Sequence, residues 1–120
     1  MNMTESIVYV DGVGNSYTVT YNPAEGSTSA HLHYHGLTPM ESSSGEYDGG
    51  PDVSKEITLA QWEELKRKAE KLAAQTSVHQ KYRMKGTSII RLKVKGSAEE
   101  RSFYARGKPV TEFEKFVEQL

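Results

Sequence analysis

The sequence predicts an α+β fold: an antiparallel sheet of about five or six strands with two helices packed on one face, in the rough order βββ(β)αββα. Three observations carry that expectation. The first third of the chain alternates apolar and polar residues with period two. A long amphipathic stripe of period 3.6 follows Thr58, and alternation then returns before a short apolar stripe at the C-terminus.

Ile7 to Val10 and Tyr17 to Tyr21 read as a hairpin, with Tyr17, Val19 and Tyr21 on one face and Thr18 and Thr20 on the other. Asp11-Gly12-Val13-Gly14-Asn15 supplies the turn, because glycine and asparagine tolerate the positive φ of hairpin loops. Ala30 to His35 alternates strictly, with Leu32 and Tyr34 opposed to His31, His33 and His35, and reads as a third strand. The stretch 36–52 is rich in Ser, Gly, Pro and Asp, and is too long for a tight turn. Val53, Lys55 and Ile57 suit a short strand leading to Thr58.

Thr58 and Gln61 stand in capping-box spacing. Leu59, Trp62, Leu65, Ala69, Leu72 and Ala73 then mark one helical face, with Glu63, Lys66, Arg67, Glu70 and Lys71 on the other. Residues 75–80 read as a connector, and Tyr82 to Lys95 and Arg101 to Arg106 as two strands. Ile90, Leu92 and Val94 alternate there with Arg91, Lys93 and Lys95, so one face is apolar and the other basic. Pro109 is expected to break the chain. Thr111 and Glu114 form a second capping-box pattern, and Phe113, Phe116, Val117 and Leu120 give the stripe of a terminal helix.

Composition bounds the rest. The chain has 120 residues, enough for a single α+β domain over 1–120. Seven Tyr, three Phe and one Trp supply bulk for its core. Without cysteine it has neither disulfides nor thiolate metal sites. Its longest apolar runs are far shorter than a membrane span. Met1 to Ser6 has no leader pattern, which sets a cytoplasmic expectation, with a secreted or periplasmic chain lacking its leader as the alternative. The net charge of −1 conceals a division: residues 1–57 hold eight acidic side chains against Lys55, and residues 58–120 hold fourteen basic ones against eight Glu. An acidic half of −7 precedes a basic half of +6, an asymmetry associated with polyanion-binding surfaces.

Three of the four histidines, His31, His33 and His35, share one strand face. Neighbours two apart have Cα atoms about 6.6 Å apart, so two rings converge on one ion, whereas the outer pair is about 13 Å apart. A divalent-metal site would therefore take two histidines and a carboxylate such as Glu41, Glu46 or Asp48, or His79 from elsewhere. The loop over 36–52 carries Glu41, Ser43, Ser44, Glu46, Tyr47 and Asp48, one aromatic among small adaptable polar groups, which resembles the composition of recognition loops. The four loop carboxylates, Glu41, Glu46, Asp48 and Asp52, repel phosphate and, as hard oxygen ligands, lack the spacing of a helix-loop-helix calcium loop. The basic stretch 81–108, with Arg91, Lys93 and Lys95 at its centre, offers charge beside Tyr82, Phe103 and Tyr104, but an isoelectric point of about 6.4 argues against a dedicated nucleic-acid domain.

No hydrolase, metalloprotease or thiol-nucleophile motif occurs, so no catalytic residue and no enzyme is expected. The sequence points to a small, soluble, non-enzymatic binding module of inhibitor or adaptor type. Its partner would be another protein, engaged through the loop over 36–52 and the adjoining histidine strand. The alternatives are metal binding by His31, His33, His35 and Glu41, and polyanion binding by Arg91, Lys93 and Lys95.

Overall fold

Alternating residues and helical stripes converge on one buried layer. The computed structural model describes residues 5–22, 29–38, 40, 45, 49–82, 87–93 and 101–120. Its strands are β1 (Glu5–Val10), β2 (Ser16–Tyr21), β3 (Ser29–His35), β4 (Val53–Thr58), β5 (His79–Gln80), β6 (Ser88–Lys93) and β7 (Arg101–Ala105); its helices are α1 (Leu59–Ala74) and α2 (Lys108–Glu118). All pairings are antiparallel, in the order β4-β3-β2-β1-β6-β7-β5. The class is the expected one with more strands. The seventh, β5, lies in the stretch that reads as a connector, because two residues carry no periodicity.

Register explains the core. Tyr9 stands opposite Tyr17 and Tyr17 opposite Tyr34, while Ile7, Val19 and Leu32 form the next row. The β1–β6 pairing extends both rows, with Ile90 opposite Tyr9 and Leu92 opposite Ile7. Trp62, Leu65, Ala69 and Leu72 of α1 and Val110, Phe113 and Val117 of α2 close this face. Burying each large apolar side chain here contributes about 1.5–3 kcal/mol.

The capping box of α1 forms: the Gln61 N–H donates to Thr58 Oγ1 at 3.1 Å and the Thr58 N–H to Gln61 Oε1 at 2.8 Å. The second expected box does not. Helix α2 begins earlier, at Lys108, with Gly107 at φ +130° before it and Pro109 in its first turn. Proline breaks a helix interior but suits the first turn, where its missing N–H has no partner to lose. Thr111 Oγ1 instead donates to the Gly107 carbonyl at 3.3 Å, and the Glu114 carboxylate accepts the Tyr9 hydroxyl at 2.9 Å.

Period-two pleating puts the other half of each strand on the face opposite the helices. One row there runs Glu56, His31, Thr20, Ser6, Lys93; the next runs Ser54, His33, Thr18, Val8, Arg91, Ser102. Acidic and imidazole groups thus gather toward β4, and arginine and lysine toward β7.

Candidate functional site

The loop over 36–52 is fixed at its base by the β1–β2 turn. Asp11 Oδ1 accepts the N–H groups of Val13, Gly14 and Asn15 at 2.8–3.0 Å, and Asp11 Oδ2 accepts the Asn15 side-chain amide at 2.9 Å. Asn15 is thereby oriented so that its buried Oδ1 accepts the Leu37 N–H at 2.8 Å. Across the loop, the Gly49 N–H donates to the Leu37 carbonyl at 2.8 Å, and the Tyr34 hydroxyl donates to the Gly49 carbonyl at 2.6 Å. The backbones meet so closely that a Cβ on Gly36 would lie 2.6 Å from the Gly50 carbonyl oxygen. Only glycine fits that crossing.

From this base the chain returns as Asp52 and enters β4 beside β3. The Asp52 carboxylate receives His35 Nδ1 at 3.0 Å and stands 3.4 Å from His33 Nε2. With its Nε2–H turned to the carboxylate, His33 accepts the Ser54 hydroxyl proton at Nδ1, where the two atoms are 2.9 Å apart. Ser54, His33 and Asp52 thus have the connectivity of a hydrolytic relay with the ring nitrogens exchanged. The side chains of His33 and Asp52 are 43% and 51% exposed, so water screens the pair and removes the low dielectric such a relay exploits. Its effect is to orient two imidazoles and to anchor the start of β4.

His31, His33 and His35 share one face, as the spacing implies, and their described neighbours differ. His33 and His35 turn to Asp52, whereas His31 stands opposite Glu56. His79 lies five strand steps from β3, about 24 Å away, and donates from Nε2 to the Leu72 carbonyl while stacking on Phe103 at 4.3 Å. Among the described residues no group of three or more His, Asp or Glu side chains could hold a metal ion. Glu41, Ser43, Ser44, Glu46, Tyr47, Asp48 and Lys95 lie outside the described residues. Arg91 and Lys93 are exposed on the helix-free face.

Sequence reasoning had Asp52 only as a loop carboxylate and missed its pairing with the histidines, and it missed Ser54 altogether. Asp52 closes the recognised loop, Ser54 lies two residues beyond it, and pairing β3 with β4 would have placed Ser54 opposite His33.

The outer side of β4 completes the site. Among the described residues, strand β4 ends the sheet, and every one of its residues except Ile57 is exposed. Lys55 and Val53 point to the helix side and Ser54 and Glu56 to the free face, following the alternation set by buried Ile57. No protein-family model, curated protein or solved structure matches the chain. No helix among the described residues is long and apolar enough to cross a membrane.

Proposed function

We propose that the chain is a small non-enzymatic protein-binding module, of adaptor or inhibitor type, that receives an extended segment of its partner along β4. The loop over 36–52 and the His33/His35 end of β3 flank that segment. The observation that carries this reading is a six-residue strand at the end of the sheet with five exposed residues. Outward N–H and C=O groups on such an edge template another strand. The opposite edge, β5, has two residues and offers almost no ladder.

The charges on β4 select the occupant. In a continuous sheet, opposed residues share a face, so the two antiparallel self-pairings of greatest overlap place Lys55 against Lys55 or Glu56 against Glu56 of a second copy. Directly opposed like charges are destabilising. A partner strand with an acidic residue opposite Lys55 and a basic one opposite Glu56 meets neither penalty and gains two cross-strand pairs.

Synthetic extended peptides with an acidic and a basic residue at consecutive positions test this directly. Titration should shift and protect the amides of residues 53–58, and a central proline in the peptide should abolish the effect. The double variant Lys55→Glu/Glu56→Lys should prefer the peptide with the charges exchanged. Amide changes that bypass β4, or the same preference in both proteins, would overturn the reading.

A further inference from the structure

The core contains a polar chain that apolar packing does not require. Tyr9, 2% exposed on β1, donates its hydroxyl proton to Glu114 Oε1 on α2 at 2.9 Å. Ser88, 5% exposed on β6, lies 2.9 Å from the same phenolic oxygen. Because the phenol has one proton and Glu114 takes it, Ser88 donates to Tyr9 and keeps its lone pairs free. Burial holds the phenol above its ordinary range, so Tyr9 stays a neutral donor.

This chain opens into a cavity of about 410 Å³ at one end of β1, β6 and β7. Tyr9 and Ser88 line it from the sheet, and Thr111 and Glu114 from α2. Arg106, just after β7, also lines it; it is exposed, and among the described residues its guanidinium has no ion-pair partner. Among the described residues, the cavity therefore presents a cation without an ion-pair partner and a carboxylate whose second oxygen, Oε2, makes no hydrogen bond. Opposite charges that line one space without meeting leave both to be satisfied by what enters it.

We propose that this cavity binds a small zwitterion of the amino-acid type, its carboxylate on Arg106 and its ammonium group on Glu114 Oε2. The hydroxyls of Ser88 and Thr111, whose protons go to Tyr9 and the Gly107 carbonyl, accept from its ammonium group. The size suits this class: small-ligand sites begin at about 300 Å³. The site is separate from β4, which lies three strands from β1.

The test is a titration of the intact protein with each of the common free amino acids, followed through the amide resonances of Ser88, Arg106 and Thr111, with acetate and ethylamine as singly charged controls. At least one amino acid should move these resonances saturably at millimolar concentration. Glu114→Gln, which retains an acceptor for Tyr9, and Arg106→Gln, an exposed substitution, should each weaken that binding tenfold or more. Their unliganded melting curves show that each variant remains folded. Acetate binding as tightly as the amino acid, with Glu114→Gln indifferent, would make the cavity a simple anion site and overturn the proposal. Resonances unmoved by the whole panel would overturn it equally.

Discussion

Replacing Tyr9 with Phe removes one oxygen and leaves the ring, so its packing against Phe113 at a centroid distance of 5.5 Å survives. The lost hydroxyl makes one hydrogen bond to a carboxylate and one to Ser88. A bond to a charged group contributes about 1.5–3 kcal/mol and a neutral one about 1 kcal/mol, so Tyr9→Phe should cost about 2–4 kcal/mol. In urea, with a slope of about 2 kcal/mol per molar for a small domain, the unfolding midpoint should fall by about 1–2 M. A double-mutant cycle with Glu114→Gln should show a coupling of about 0.5–3 kcal/mol. Alkaline pH gives a second measure. The folded phenol is raised above its unfolded value of about 10, so its contribution is complete below that pH and lost as pH rises, by about 1 kcal/mol between pH 10 and 11. Tyr17, pushed up to about 12 chiefly by burial, acts in the same direction. Tyr9→Phe should flatten this alkaline loss. A cost below about 0.5 kcal/mol, or strict additivity with Glu114→Gln, would refute the account of the buried chain.

Thr58→Ala removes the side-chain half of the α1 capping box and should cost about 1 kcal/mol by urea melts, with helix content otherwise retained. Gly49→Ala would drive a Cβ into Asn15 Oδ1 and the Leu37 N–H, so it should cost about 1–3 kcal/mol and shift the amides of Asn15 and Leu37; unchanged amides would remove the proposed loop anchor. Lys55→Thr/Glu56→Thr removes the like-charge penalty at the β4 edge and should produce concentration-dependent self-association by sedimentation. A double variant that stays monomeric at every concentration would show that these charges do not guard the edge.

Alternation was sufficient wherever a strand has one buried face. Val19, Leu32, Ile90 and Leu92 are all in the core, because period two admits only one choice of buried set, whereas Ile7 to Val10 is apolar throughout and only its pairing with β2 puts Ile7 and Tyr9 inside. Local patterns failed where long-range contacts decide. Thr111 and Glu114 have capping-box spacing, yet Glu114 is drawn to a tyrosine 105 residues away, and Pro109 allows the helix to start a turn sooner. The histidine strand could be read from spacing, but its carboxylate could not. Asp52 reaches His33 and His35 because Gly36 and Gly49 cross at the loop base, and that closure is invisible in a list of nearby acids.

The same geometry resolves what the divided charge means. The two halves join along the β1–β6 ladder and lie side by side in one sheet, so the acidic strands do not cover the basic ones. Among the described residues, Asp52 pairs with His33 and His35 in the first half, and Glu70 pairs with Arg101 and Glu64 with Arg67 in the second. Charge is therefore separated across the helix-free face, with Asp52 and Glu56 near one edge and Arg91 and Lys93 about 14 Å beyond β3. That separation exceeds the screening length of about 8 Å at physiological salt, so an approaching chain senses each end independently. A peptide that docks on β4 and carries a basic extension should associate faster at low than at high ionic strength, whereas an acidic extension should show the opposite trend. Equal salt dependence for the two extensions would mean that the acidic half does not steer what β4 receives.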